Sequence, residues 1–290
     1  MKQEALKQNL HEKAEFQRIF WMLLLFEEKG VKPSTEKISE ETEKTFGKID
    51  SIASEGLTTF GIWKYPVEYK DHQTVPAQVL ASDFEPFDGS SITTLEKSQL
   101  WDCLGAEALL DKCRYKVMLS DFMASGLDYK PRCEMLADWL ETALRLFPDC
   151  TAVWVPSSGK LLSREQILEN PAEGAQRFLY FGVNARFFNI EGTNDMLVDT
   201  LGLYAIGLPD VQYHFHSLDP NKVVTHAYSV ASYIFENNAP IKSGETIDGI
   251  SETGIDRSVR WKCQYEMGLI QPSREVMDIC PGEYASGTRE

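Results

Sequence analysis

His214 and His216 stand two residues apart in Val211-Gln212-Tyr213-His214-Phe215-His216. On a strand, alternation sends Val211, Tyr213 and Phe215 to one face and Gln212, His214 and His216 to the other, so both imidazoles point the same way. Two imidazoles at that spacing can hold a divalent metal, with His226 or Asp219 as a third ligand, and such a centre would support metal-assisted hydrolysis. The simpler reading needs no metal, because a half-buried strand requires a polar face and histidine serves there. No cofactor is expected beyond this possible divalent metal.

A second constellation is Arg186, Asp199, Asp210 and Arg274, each inside or beside an apolar segment, where an unpaired charge is costly and ion pairing is the usual remedy. Read functionally, the four form a polar pocket in which an arginine fork recognises a small anionic or zwitterionic metabolite. Read structurally, they are salt bridges and turn caps, with Asp210 serving its own turn. The structural reading carries more weight.

Nucleophiles are poorly supported. Cys263 alternates with Trp261 and Tyr265 on what reads as the inward face of a strand, which marks an inert buried thiol. Ser157-Ser158-Gly159-Lys160 resembles a fragment of a phosphate loop, but the spaced glycines before the lysine are missing, and a hairpin turn is expected there. No G-x-S-x-G, G-x-G-x-x-G or H-E-x-x-H occurs, so the common hydrolase, dinucleotide and zinc-protease signatures are absent.

The elements that must carry these residues are mixed in type. Ile19 to Phe26 reads as a strand, and Pro33 and Ser34 open a helix with Ile38, Thr42, Thr45, Phe46 and Ile49 on one face; Glu36, Glu40, Glu41 and Glu43 are its solvated side. Gly56 to Tyr69 and Ala77 to Phe84 read as strands around a Pro66 to Pro76 region made polar by Asp71, His72 and Gln73. Ile92 to Lys112 reads as mostly helical, weakened or kinked at Gly105, and Tyr115 to Phe122 closes the unit as a strand. That β-α-β-β-α-β order matches the ferredoxin-like motif.

Pro131 begins the strongest helix, with Leu136, Leu140, Ala143, Leu144 and Phe147 on one stripe and Pro148 as its stop. Thr151 to Val155 is a short strand, and Ser163 with Gln166 forms a capping box that starts a short helix. Arg177 to Ile190 reads as one long strand with a bulge at Gly182. Met196 to Tyr204 and Val211 to His216 follow as strands, and Asp219-Pro220 opens a helix with Val223, Ala227, Val230, Ala231 and Ile234 inward. Glu245 to Ile250, Arg260 to Ile270 and Glu275 to Cys280 supply late strands. The expected class is α+β, antiparallel or mixed sheets covered by helices, with a ferredoxin-like subdomain over 1–125 and a second α+β subdomain over 126–290, or one continuous domain.

Composition narrows the function classes. The chain has 290 residues, 44 Asp and Glu against 29 Lys and Arg, and a formal net charge of −15. An acidic chain without a basic block starts from repulsion toward a phosphate backbone, and an anionic membrane surface is disfavoured for the same reason. The longest apolar run near the N-terminus, Ile19 to Phe26, falls far short of the roughly 20 residues that span a bilayer. The opening MKQEALKQNLHEKAE shows no secretory pattern. Six cysteines without a C-x-x-C pair read as reduced thiols, and the expected location is cytoplasmic.

Four stretches carry a family resemblance: Val183-Asn184-Ala185-Arg186-Phe187-Phe188-Asn189-Ile190; Asp199-Thr200-Leu201-Gly202-Leu203; Gly207-Leu208-Pro209-Asp210-Val211-Gln212; and Pro272-Ser273-Arg274-Glu275-Val276-Met277-Asp278-Ile279-Cys280-Pro281-Gly282. The chain resembles a bacterial family catalogued only as a domain of unknown function, the one numbered four-two-six-one, most densely from Trp101 to Gly282. The resemblance implies a bacterial, cytoplasmic protein and brings no activity or catalytic residues with it. The leading expectation is a non-enzymatic acidic binding protein meeting a basic protein partner, an immunity protein against a toxin being one form that fits. The alternatives are the metal-assisted hydrolase at His214 and His216 and the anionic-metabolite binder at Arg186 and Arg274.

Overall fold

Trp-Met-Leu-Leu-Leu-Phe forms β1 (Trp21–Phe26), whose residues from Met22 onward are all buried. A continuous apolar run of this length is a strand covered on both faces, and β1 accordingly lies inside its sheet. The computed structural model describes residues 17–52, 56–69 and 72–287. The opening MKQEALKQNLHEKAE and Asp71 lie outside these residues. The chain separates into two units, Gln17–Gly182 and the part from Val183 onward.

In the first unit β1 is followed by α1 (Thr35–Phe46), β2 (Ile49–Ile52), β3 (Leu57–Glu68), β4 (Thr74–Ser82), β5 (Glu85–Pro86), α2 (Thr94–Lys97), α3 (Ala106–Lys112), β6 (Tyr115–Phe122), α4 (Tyr129–Leu146), β7 (Ala152–Val155), β8 (Lys160–Ser163), α5 (Arg164–Leu168) and α6 (Arg177–Gly182). The sheet order is β2-β3-β4-β6-β1-β7-β8, with β5 alongside β6. β6, expected to close the unit, instead sits between β4 and β1. The strands β7 and β8 join the same sheet by pairing β7 with β1, so the expected subdomain boundary near residue 125 falls inside this sheet and the unit runs to Gly182.

Alternation divides β1 between two cores. Leu23 and Leu25 join Ile92, Leu100, Leu110, Trp154 and Leu161 on one side, while Phe26 meets Phe84 and Phe147 edge to face on the other. The helix α4 carries one charge within its apolar stripe: Arg132 is 2% exposed and donates from Nε and Nη2 to both oxygens of buried Asp121. The Phe20 N–H donates to the same carboxylate at 2.6 Å. A buried charge pair survives only when its remaining hydrogen-bonding capacity is met, and this pair ties α4, β6 and the entry to β1 together.

Three sequence expectations are corrected. Ile92 to Lys112 is two short helices: α2 ends at Lys97, turns follow, and Gly105 with a left-handed φ of 75° precedes the first residue of α3. Arg177 to Ile190 is a helical turn followed by a strand. Phe178 and Phe181 stand at helical spacing with ring centroids 5.3 Å apart, and Arg177 is held by Asp138 and Glu141 of α4. A Cβ at Gly182 would come within 2.6 Å of the Phe178 ring, so glycine marks a close approach at the helix end and not a bulge. Pro66 and Pro76, expected between strands, are paired across β3 and β4.

The second unit comprises β9 (Asn184–Asn189), β10 (Met196–Leu201), a 3-10 turn (Leu203–Ile206), β11 (Asp210–Phe215), α7 (Pro220–Asn237), β12 (Thr246–Ser251), β13 (Gly254–Met267) and β14 (Glu275–Cys280). Its sheet order is β12-β13-β14-β11-β10-β9. The β11–β14 pair is parallel and the others antiparallel. A parallel pair demands a crossover, and α7 with the β12–β13 hairpin supplies it. Asp219 caps α7 by accepting from the Asn221 N–H with Pro220 in the first turn. Val223, Ala227, Ala231 and Ile234 form its buried face. The chain is therefore α+β, with an antiparallel sheet in one unit and a mixed sheet in the other. Among the described residues no helix is long and apolar enough to cross a membrane.

All six cysteines are free thiols; five are buried and Cys280 is half-buried. Burial pushes Cys113 up to about 11 and Cys150 and Cys263 up to about 12, leaving little thiolate at neutral pH. A chromogenic disulfide reagent added to the native protein is expected to titrate Cys280 at most, with five further thiols appearing only in denaturant. Rapid native labelling of Cys133 or Cys150 would contradict this packing.

Candidate functional site

Strand register brings the first charged pair together. Arg186 on β9 lies directly opposite Asp199 on β10, and its Nε and Nη2 donate to the two carboxylate oxygens at 2.8 and 2.6 Å. Asp199 is fully buried and also accepts from Arg274 Nη2 at 2.8 Å. Arg274, just before β14, donates from Nε to Asp210 at 3.1 Å. The four candidates therefore converge into one buried ladder, Arg186–Asp199–Arg274–Asp210, whose formal charges cancel.

Every nitrogen of both guanidiniums is engaged with protein oxygens. Arg186 Nη1 donates to the Gln271 carbonyl, Arg274 Nη1 to the carbonyls of Ile270 and Pro272, and Arg274 Nη2 also to that of Thr200. Asp210 accepts from the Thr200 hydroxyl and from the N–H groups of Gly202, Leu203 and Tyr204, which caps the 3-10 turn as a turn-serving aspartate should. Burial pushes the Asp210 carboxyl upward, against the pull of Arg274 and the Leu203 N–H. Burial alone would lower the Arg274 guanidinium, but Asp210 and Asp199 outweigh it and hold it firmly protonated. The forks that would grip an anionic ligand grip the protein's own carboxylates and carbonyls.

The histidines divide differently. His214 is 5% exposed, with Nε2 3.6 Å from Asp195 of the β9–β10 turn. The same aspartate accepts from the Ser286 hydroxyl, and the Ser286 N–H donates to the His214 carbonyl. His216 lies one residue past the end of β11, half-buried, with Nδ1 3.0 Å from the Ser217 hydroxyl. His226 does not join them. Its Nδ1 is 2.7 Å from the Tyr213 hydroxyl and its Nε2 is 2.9 Å from the Asp248 carbonyl. Tyr213 and His214 are consecutive on a strand, so His226 stands on the opposite face of the sheet from His214. Asp219 is occupied as the cap of α7. Among the described residues no three His, Cys, Asp or Glu side chains gather at metal-holding distance.

Sequence reasoning missed several partners. Thr200, Asp195 and the Tyr213–His226–Trp261 ring cluster carry no local signal. Asp121 could have been found by the rule that selected Arg186 and Asp199, since it is a charge beside the apolar run of β6, whereas Arg132 stands between Lys130 and Glu134 and gives no such signal. Beside His226, Asn221, Lys222, Thr225, Ile250 and Ile255 line an open groove of about 220 Å³, below the roughly 300–1,000 Å³ of small-molecule pockets.

Residues 199–280 match the model of the family described as Domain of unknown function (DUF4261). The match contains Asp199, Asp210, Arg274 and all three candidate histidines; the Val183–Ile190 stretch with Arg186 precedes it. No curated protein and no solved structure matches the chain.

Replacing Asp199 by alanine strands the buried Arg186 guanidinium and takes one of its two carboxylates from Arg274, and loss of about 3–5 kcal/mol in urea unfolding is expected, the usual size for breaking a buried pair from one side. A loss below about 1 kcal/mol would contradict the ladder. Burial lowers the pKa of His226 from its usual 6.5, so the folded state resists a proton that the unfolded chain accepts. The stabilisation is complete above the unfolded value and is lost as pH falls through the lowered folded value. Urea midpoints at pH 7.5 and 5.5 should therefore drop more steeply for the wild type than for His226→Gln; equal slopes would refute the assignment.

Proposed function

We propose that this protein acts as an acidic binding protein for a basic protein partner. The observation that carries the reading is where its charge lies. Among the described residues the buried bases are Arg132, Lys160, Arg186 and Arg274, and the buried acids are Asp121, Asp199, Asp210, Glu266 and Asp278. These nearly cancel, so among the described residues the acidic excess that contributes to the net charge of −15 belongs almost wholly to groups that are not buried. A surface of one sign raises the local concentration of an oppositely charged partner and speeds its encounter, and salt weakens both effects.

The arginine forks of the ladder are already engaged, which weighs against a metabolite pocket there, and the placement of His226 across the sheet weighs against a three-histidine centre. The test is affinity purification from the native host at low and at high salt, followed by identification of what elutes. A basic protein retained at low salt and released at high salt is the expected outcome. Retention of no salt-sensitive protein would overturn the reading.

A further inference from the structure

Residues 98–105, between α2 and α3, belong to no strand, and the hydrogen bonds of their backbone are local. The N–H groups of Gln99, Leu100, Cys103 and Ala106 each donate to a carbonyl three residues back. A segment bonded in this way can leave its sheet without breaking a ladder, which is the property of a local opening unit. Closed, it contributes Leu100 and Cys103, 5% and 4% exposed, to the core cluster beside Trp154 and Leu161. Gly105, at φ 75° and with open space where a Cβ would stand, supplies a hinge into α3.

Asp102 ties the segment to two anchors outside it. Its carbonyl accepts from Gln166 Nε2 at 2.7 Å. Gln166 is itself oriented by its capping box, its amide oxygen accepting from the Ser163 N–H at 2.8 Å. The Asp102 carboxylate is 2.9 Å from Lys160 Nζ. Lys160 ends the Ser157-Ser158-Gly159-Lys160 turn, stands opposite Val155 in the β7–β8 pair, and lies over the Tyr180 ring, 5.6 Å from its centroid.

The two sides of this ion pair are unequal. The Lys160 side chain is 5% exposed and that of Asp102 is 42% exposed. Holding an ammonium away from water is costly unless a carboxylate compensates it. Burial accordingly lowers the Lys160 amine, and Asp102 opposes that shift. With the segment shut, the carboxylate compensates the buried ammonium. Once that carboxylate loses its charge, opening becomes the route by which Lys160 regains water. The buried lysine therefore pushes the segment outward and Asp102 holds it in.

We infer that residues 98–105 form a flap held shut by the Asp102–Lys160 pair, and that its release uncovers Leu100 and Cys103 while the sheet stays folded. The open state presents apolar surface and a thiol that the closed state hides. Whatever neutralises or withdraws the Asp102 carboxylate changes what the first unit exposes.

The test follows alkylation of the full chain by N-ethylmaleimide, mapped thiol by thiol. Asp102→Asn removes the charge and keeps the carbonyl that Gln166 binds. Cys103 should then label at least about tenfold faster than in the wild type, with Cys133 and Cys150 still protected. Adding Lys160→Met to Asp102→Asn removes the buried charge and should return Cys103 to near its wild-type rate, a rescue that loss of a contact alone does not give. Equal Cys103 rates in Asp102→Asn and the wild type would overturn the latch. Labelling of Cys103, Cys133 and Cys150 in step would overturn the flap, because the whole unit would then be opening. Fast Cys103 labelling that persists in the double variant would overturn the role of the buried charge.

Discussion

A carboxylate in a dry interior must be paired, and Asp199 meets that demand with two guanidiniums at once. One comes from the neighbouring strand and the other from the loop before β14, so a single buried charge couples β10 to β9 and to the far side of β11. Asp210 completes the balance, and both of its oxygens also accept from N–H groups of the turn that separates β10 from β11. Removing any one member leaves the buried group with one unit of uncompensated charge. Arginine suits this position because its planar fork can meet a carboxylate with two bonds and still reach backbone carbonyls.

That constraint gives β11 two different faces. Val211, Tyr213 and Phe215 are buried on the side where Tyr213 reaches His226 of α7; Asp210, Gln212 and His214 lie on the other. Both nitrogens of His226 are engaged, one with a phenol and one with a carbonyl, which explains how an imidazole is accommodated in an apolar layer. Gln212 bridges in a similar way, donating to Asp278 and accepting from the Leu269 N–H. Residue types that suggest catalysis are used here to satisfy a buried sheet.

The first unit repeats the principle with other residues. Arg132 and Asp121 lock α4 onto its sheet, and Lys160 with Asp102 fastens the Trp101 segment to β8. Among the described residues four buried bases stand against five buried acids, so their acidic excess is left almost wholly to groups that are not buried.

Sequence alone determined the features that a few neighbouring residues decide. Ser34 and Asp219-Pro220 mark the starts of α1 and α7, the Ser163–Gln166 capping box forms as expected, and Trp261, Cys263 and Tyr265 share a buried face. The sequence also marked Arg186, Asp199, Asp210 and Arg274 as charges needing partners, since cost of burial is a property of residue and segment. Where two periods compete within a short apolar run, as in Arg177 to Ile190, local pattern could not choose, and the α4 carboxylates that hold Arg177 decided for helix. Tertiary structure alone decided which partners meet: that Arg274 reaches Asp199, that His226 is across the sheet from His214, and that β6 lies between β4 and β1. Those outcomes depend on strand register and sheet order, which are set by contacts between residues tens of positions apart and leave no trace in spacing.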